Sequence, residues 1–191
     1  MIHSHDRSYY IGASDTRVVV GNWNTKTFDK WWGEKQGFIK NEFSNEAMMA
    51  GTAYEHKIID ALNVPGMKKD QQVIKGRLRV NLDGNTNDKI YEIKTYKSEV
   101  FKMPKYYIQQ VNVEMYAFNI HKAEIVAYQL TDAEYNNWYL DIDPERLQHF
   151  EIEYDEDFIN NVYLPRFNYL SECLDKGIFP NEQRMKDETY G

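Results

Sequence analysis

The spacing of the apolar residues changes from helical to alternating at Pro65-Gly66, and this change constrains the fold more than any other feature of the chain. Before it, apolar residues recur at helical spacing from an opening at Ser44-Asn45-Glu46 to Leu62, and a proline cannot continue such a helix. After it, short alternating segments predict strands. We expect these strands at 72–74, 78–82 and 90–95, with turns at Lys75-Gly76 and Gly84-Asn85. A helix that leads directly into paired strands predicts a mixed α/β fold.

The rest of the chain shows the same two patterns. We expect helices at 13–20, 27–38, 106–118 and 157–173, and further strands at 123–130 and 150–154. Ser14 and Thr27 are the expected N-caps of the first two helices, and Pro165 should kink or split the last one. The polar residues at about 180–191 are expected to be loose. With 191 residues and 42% hydrophobic content, the chain is expected to form one domain, 1–191, with a central sheet.

A carboxylate and a lysine stand two residues apart in the predicted strand at 90–95. Glu92 and Lys94 should therefore point to one face of the strand, while Ile93 points to the other. If the preceding strand pairs with this one as a hairpin, Asp83 at the turn arrives next to Glu92. Two carboxylates and one amine would then converge at one place.

This grouping is typical of metal-dependent cleavage of phosphodiesters. Magnesium prefers oxygen ligands, and Asp83, Glu92 and the carbonyl of Ile93 would supply three. A bound metal polarises the phosphate and lowers the pKa of a bound water. Lys94 would orient that water and offset negative charge in the transition state.

The helix before the strands offers a further acid, Glu55. Gly51 and Ala53 make that part of the helix thin, so that it can lie close to the sheet. Glu55 is therefore the candidate for completing the acidic cluster. His56 follows it and is expected to point away from it, with a surface or packing role.

Charge and cysteine content limit the possible binding partners and the cellular compartment. A net charge of −7 argues at first against a nucleic-acid partner. The distribution weakens this objection, because residues 68–105 hold ten Lys and Arg against five Asp and Glu, whereas 132–157 hold ten acids and one base. The single cysteine, Cys173, excludes an internal disulfide and fits a reducing cytoplasm. No apolar run is long enough to span a bilayer, so no membrane partner is expected.

Four blocks of sequence carry a family resemblance. They are Ile11-Gly12-Ala13-Ser14-Asp15, Met49-Ala50-Gly51-Thr52-Ala53-Tyr54-Glu55, Leu82-Asp83-Gly84 with Tyr91-Glu92-Ile93-Lys94-Thr95, and Tyr107-Ile108-Gln109-Gln110-Val111-Asn112-Val113-Glu114-Met115. In this order they resemble the PD-(D/E)XK nuclease superfamily and, within it, the phage lambda exonuclease (YqaJ-type viral recombinase) family. The resemblance implies a restriction-endonuclease-like α/β core, with a central mixed sheet flanked by helices.

The resemblance also implies roles for the matching residues. The implied metal-binding and catalytic set comprises Asp83, Glu92, the Ile93 carbonyl, Glu55 and Lys94. Gln110 matches a glutamine that the family places beside the active site, with Gln109 as the alternative. Two magnesium ions are implied as cofactors, with manganese as an alternative.

A phosphate site is implied at the start of the chain. Arg7 and Ser14 match a pair that binds the 5′-phosphate of a DNA end in this family. Asn81 stands two residues before Asp83, where the family has a serine that helps to hold the terminal phosphate. Asparagine can still donate a hydrogen bond to that phosphate.

By resemblance the protein is a DNA exonuclease that digests the 5′-ended strand of a duplex and leaves a 3′ single strand. The implied partners are double-stranded DNA ends, a single-strand annealing protein of phage-type recombination, and two further copies of the chain in a ring-shaped homotrimer. The implied location is the cytoplasm of a bacterial host, with the gene carried by a phage or prophage.

Two alternatives stay open. A RecB-like single-strand-specific nuclease or a restriction-type endonuclease would keep the fold and change the substrate. A module that binds DNA ends or a protein without catalysis would keep the fold alone, and the complete set of Asp83, Glu92 and Lys94 disfavours it.

Overall fold

A computed structural model describes residues 8–39 and 46–190 of the chain. Its strands are β1 (Ile11–Gly12), β2 (Lys68–Lys75), β3 (Leu78–Asn85), β4 (Ile90–Tyr96), β5 (Lys122–Gln129) and β6 (Leu147–Glu153). Its α-helices are α1 (Thr16–Val19), α2 (Lys26–Lys35), α3 (Glu46–Leu62), α4 (Lys105–Phe118), α5 (Asp132–Asn136), α6 (Leu164–Lys176) and α7 (Glu182–Tyr190). Two 3-10 turns, Ala13–Asp15 and Pro144–Arg146, and a π-helical segment, Phe158–Tyr163, complete the described structure.

Within the described residues, six strands form one mixed sheet. The strand order is β1-β3-β4-β5-β6, and β2 pairs with β3. β3 and β4 are antiparallel, β4 and β5 are parallel, and β5 and β6 are antiparallel. The parallel pair β4 and β5 is joined by α4, since parallel neighbours need a crossover connection. This crossover places α4 directly after the strand that carries Glu92 and Lys94.

The chain divides into two compact units. The described part of the second unit comprises 46–73 and Asn81–Tyr154, and its core lies between α3 and the sheet. Tyr54, Ile58 and Ile59 of α3 pack with apolar residues of β4 and β5. A Cβ atom at Gly51 would lie 3.2 Å from the Thr95 hydroxyl oxygen, so the thin part of α3 does approach β4 closely.

The described part of the first unit comprises 8–39, Ile74–Val80 and 155–190. Here β1 pairs in parallel with the first residues of β3. The aromatic residues of α2 are buried, and Phe28 stacks with Trp23 and Trp32. Arg166 of α6 donates to the carbonyl of Val19 at 2.8 Å. The prediction of one domain over 1–191 stays a prediction.

The two predicted N-cap residues are wrong. The cap of α2 is Thr25, not Thr27, because the Thr25 hydroxyl accepts the Phe28 N–H. Ser14 is exposed and does not cap its helix; the Asp15 carboxylate instead accepts the Gly12 N–H at 2.9 Å. The predicted start at 44–46 lies partly outside the described residues, and its described part, Glu46, begins α3.

Of the two predictions for the C-terminal segments, one is confirmed and one is wrong. The split expected at Pro165 is present: π-helical turns precede the proline, which lacks the N–H that an α-helix needs, and α6 begins beside it. The prediction of a loose tail at 180–191 is wrong, because Glu182–Tyr190 forms α7. Met185 is 2% exposed and Glu182 pairs with Arg166 at 3.0 Å, so packing and charge hold this helix.

None of the helices in the described part of the chain has the length and apolar character that a membrane span requires.

Candidate active site

The hairpin of β3 and β4 brings Asp83 to Glu92. The backbone ladder pairs Gly84 with Tyr91, and one residue further on the Asp83 carboxylate accepts the Ile93 N–H at 2.8 Å. Asp83 lies inside β3 and not at a turn, because β3 runs on through Asn85. The turn follows, and the Thr86 N–H bonds to the Lys89 carbonyl at 2.8 Å to close it.

Glu92 and Lys94 lie side by side, as residues two apart on a strand should. The Lys94 Nζ donates to the Glu92 Oε1 at 2.6 Å, and Glu92 is only 4% exposed. Burial lowers the pKa of Lys94, but the charge of Glu92 and the hydrogen bond to it outweigh burial and leave that pKa raised. The raised pKa favours the charged form of Lys94, a hydrogen-bond donor.

Helix α4 adds Gln110 to this pair. Its Nε2 donates to the Glu92 Oε1 at 2.7 Å, and its Oε1 faces the Lys94 Nζ at 3.4 Å. Of the two glutamines considered from sequence, it is Gln110 and not Gln109 that makes these bonds. One carboxylate oxygen of Glu92 therefore accepts from both a lysine and an amide, which fixes the carboxylate in the site.

Glu114, one turn after Gln110 on α4, is a site residue that sequence reasoning did not assign. Its Oε1 accepts a second hydrogen bond from the Gln110 Nε2 at 2.9 Å, and the side chain is 1% exposed. Burial, and then the charge of Glu92, raise the pKa of Glu114 well above its ordinary value. The spacing of four residues on a helix was the signal that could have identified it.

Burial and neighbouring charge raise the pKa of two further carboxyl groups of the site, Asp83 and Glu55. For Asp83 the causes are burial first, then the charges of Glu92 and Glu55, and its pKa lies well above the ordinary value. For Glu55 on α3, burial and then the charge of Glu92 raise the pKa. The structure therefore brings Glu55 within electrostatic range of the hairpin acids. Clustered carboxylates that disfavour one another's ionisation are a donor set suited to a divalent cation.

A second, more exposed cluster lies beside the first. Donor atoms of Glu55, His56 and Asp70 all lie within 4.8 Å of one another. His56 therefore does not point away from Glu55, which corrects the expectation from sequence. Its Nε2 lies 3.1 Å from the Asp70 Oδ2, so these two exposed side chains already form an ion pair when the histidine is protonated.

Of the three residues implied to bind a 5′-phosphate, two lie in the described part of the chain. Arg7 lies outside the described residues. Ser14 is exposed in the first unit, at the 3-10 turn before α1. Asn81 is exposed on β3 in the second unit, and its Oδ1 accepts the Gln72 Nε2 at 2.7 Å.

The fold and the site together define a mixed α/β sheet flanked by helices, with Asp83 on one strand and Glu92 and Lys94 on the next. Solved structures of this fold confirm the predicted fold class.

The solved structures similar to this chain include exonucleases. The alkaline exonuclease LHK-Exo from Laribacter hongkongensis superposes with a TM-score of 0.65 at 17% identity, over 95% of this chain and 94% of that one. Its complex with dAMP gives 0.65 at 18% identity, over the same shares. A phage-related exonuclease from Haemophilus somnus 129PT gives 0.63 at 15% identity, over 87% of this chain and 94% of that one. The resemblance predicted from sequence is therefore confirmed as a likeness of fold.

No protein-family model and no curated protein sequence matches the chain.

Proposed function

We propose that the protein is a metal-dependent deoxyribonuclease that hydrolyses phosphodiester bonds from the ends of duplex DNA. One observation carries the proposal. The buried Glu92 carboxylate is held by Lys94 and Gln110, on the strand next to Asp83. The likeness of fold to LHK-Exo and to the phage-related exonuclease supports the same reading.

The residues of the hairpin, together with Glu55 of α3, fit a divalent cation. Asp83 and Glu92 offer carboxylate oxygens, the Ile93 carbonyl offers a third oxygen, and Glu55 offers a fourth. Hard oxygen donors of this kind suit Mg²⁺ or Mn²⁺. A cation bound there would polarise the phosphate and activate a water. The exposed cluster with His56 adds an imidazole, which suits Mg²⁺ and Mn²⁺ less well than oxygen ligands do.

The chain's own side chains have distinct tasks in this proposal. Lys94 keeps its proton, so it donates a hydrogen bond to the attacking water and offsets negative charge on the phosphate. Gln110 holds Glu92 in one orientation through the 2.7 Å bond from its amide. Glu92 and Asp83 accept hydrogen bonds from a lysine and a backbone N–H respectively, so both are fixed before substrate arrives.

The finer parts of the proposal rest on the resemblance. They are digestion from 5′ to 3′, two ions, 3′ single strands passed to an annealing protein in phage-type recombination, and a homotrimer around the DNA. Arg7, Ser14 and Asn81 are proposed to hold the 5′-phosphate. Duplexes with and without that phosphate test this assignment, since Ser14→Ala should slow only the phosphorylated substrate.

The central test compares DNA forms in Mg²⁺ buffer. A linear duplex labelled at one 5′ end should release short labelled products, whereas a covalently closed circle of the same sequence should stay intact. A cut circle would favour the restriction-type alternative, and digestion of single strands alone would favour the RecB-like one. Metal chelation should stop all digestion.

Matched ion pairs provide the variant test. Lys94→Ala and Glu92→Gln should each abolish digestion, because they break the pair at the proposed site. Lys176→Ala and Glu172→Gln break an exposed pair of the same residue types on α6 and should leave activity unchanged. Full activity of Lys94→Ala would reject the site, and a wild-type protein that binds DNA ends without turnover would support the non-catalytic alternative.

A further inference from the structure

Glu114 occupies a position where a carboxyl group lowers the stability of the fold. It is 1% exposed, and its neighbours Val113 and Met115 on α4 are fully buried. Among the described residues its Oε2 has no hydrogen-bond partner. A buried polar atom without a partner costs folding free energy, and a leucine or methionine would fill the space without that cost. The carboxyl group therefore needs a reason beyond packing.

The only bond shown for the Glu114 carboxyl within the described part of the chain leads to the active site. Its Oε1 accepts from the Gln110 Nε2 at 2.9 Å, and the same nitrogen donates to the Glu92 Oε1 at 2.7 Å. A glutamine amide nitrogen has two N–H groups, so the two carboxylates use both of them. The amide oxygen is then left to face the Lys94 Nζ, at 3.4 Å.

This arrangement determines the orientation of the amide. With a single acceptor, the Gln110 side chain could rotate about its own bonds and still donate to Glu92. A second acceptor on the other N–H fixes the amide plane and keeps the oxygen on the side of Lys94. Glu114 thus affects Glu92 and Lys94 indirectly, through Gln110.

We propose that Glu114 is a positioning residue that acts through Gln110, holding its amide nitrogen against Glu92 and its amide oxygen toward Lys94. The inference rests on the proposed function, in which Glu92 and Lys94 act on the phosphodiester. It assigns no contact with substrate or metal to Glu114.

Two substitutions separate positioning from packing. Glu114→Gln keeps an oxygen acceptor in the same place, whereas Glu114→Met fills the volume without an acceptor. On a labelled linear duplex, Glu114→Met should lower kcat by about 10-fold to 100-fold with an unchanged KM, the loss typical of a misplaced catalytic group. Glu114→Gln should restore most of kcat. Glu124→Gln, at a buried glutamate bonded to Lys89 and His149, is the control and should keep full activity.

A double-mutant cycle tests whether Glu114 acts through Gln110. If it does, Glu114→Met in a Gln110→Ala background should cause no further loss of kcat. A further loss by the same factor as in the wild-type background would show an independent, structural effect and overturn the proposal. Equal kcat for the wild type and Glu114→Met would also overturn it.

An NMR measurement tests the proposal without any activity. The Gln110 side-chain amide signal, identified by its loss in Gln110→Ala, should exchange slowly with solvent in the wild type and in Glu114→Gln. It should shift and exchange faster in Glu114→Met, while the circular-dichroism melting curve confirms a folded chain. An unchanged signal would reject the positioning role, whereas a wild type without nuclease activity would reject only the proposed function.

Discussion

Lys94→Met removes the counter-charge of a carboxylate that is almost completely out of solvent. The Lys94 Nζ and the Glu92 Oε1 lie 2.6 Å apart, and the two side chains are 17% and 5% exposed. At an effective dielectric constant of about 20, this separation corresponds to about 6 kcal/mol of attraction. Methionine fills the space of the lysine stem, so the substitution tests charge more than packing.

In the variant the unpaired buried carboxyl group need not stay charged, because a carboxylate can take up a proton. A glutamate with the ordinary pKa of about 4.3 gains a proton at pH 7 at a cost of about 3.7 kcal/mol, and at about pH 5 the cost falls to about 1 kcal/mol. Both values lie below the lost attraction, so protonation limits the damage. The raised pKa of Lys94 keeps the wild-type lysine charged at both pH values.

We therefore expect Lys94→Met to lower the free energy of unfolding by about 3 to 4 kcal/mol at pH 7 and by about 1 kcal/mol at about pH 5. Urea denaturation at both pH values, with a chelator present, measures the difference from wild type. Lys176→Met, which breaks the exposed pair with Glu172, is the control and should leave stability unchanged at both. A loss that does not depend on pH would refute the reasoning.

Three further predictions concern the same hairpin and the helices around it. Burial raises the pKa of Asp83, so the folded state binds a proton on this carboxyl group more tightly than the unfolded chain does. The free energy of unfolding without metal should therefore fall as pH rises above the ordinary aspartate pKa. Asp83→Asn should make this free energy less dependent on pH, as measured by urea denaturation at several pH values. Gly51→Leu should push α3 away from β4 and reduce nuclease activity, because even a Cβ at this position would lie 3.2 Å from the Thr95 hydroxyl of β4. Thr52→Leu, at an exposed position of α3, is the control and should leave activity unchanged. Thr25→Ala should cost about 1 kcal/mol in a denaturation assay by removing the α2 cap, and an equal cost from Thr27→Ala would contradict that cap assignment.

The hairpin and the main helices were predictable because their spacing is local. Residues two apart on a strand share a face, and this alone places Glu92 beside Lys94. Helix spacing likewise predicts that Trp31 and Trp32 pack, and both are buried. These inferences need no knowledge of the partner elements.

The position of Asp83 was misjudged because Gly84-Asn85 looks like a turn. In the structure Gly84 is a strand residue, and a Cβ there would lie 3.0 Å from the Met67 Sδ and 3.5 Å from Ile59. The glycine therefore serves a close approach of α3 to the sheet, which depends on a segment about twenty residues earlier. No local pattern separates such a glycine from a turn glycine.

Glu114 and α7 were missed for a related reason. The role of Glu114 depends on Gln110 and Glu92, and Glu92 arrives from a strand. The polar composition of α7 predicts no structure, and it is the burial of Met185 and the bond between Glu182 and Arg166 that hold it. Tertiary contacts supply what local propensity does not.

The crowding of acids around Asp83 has a consequence for how the protein would acquire a cation. Because burial and neighbouring charges raise the pKa of Asp83 and of Glu55, these groups hold protons more tightly than free carboxyl groups do. A divalent ion bound there would have to displace those protons, so its binding would release protons to the solvent. The heat of cation binding would then depend on the buffer that receives the protons, and cation affinity would rise with pH even though folding stability falls.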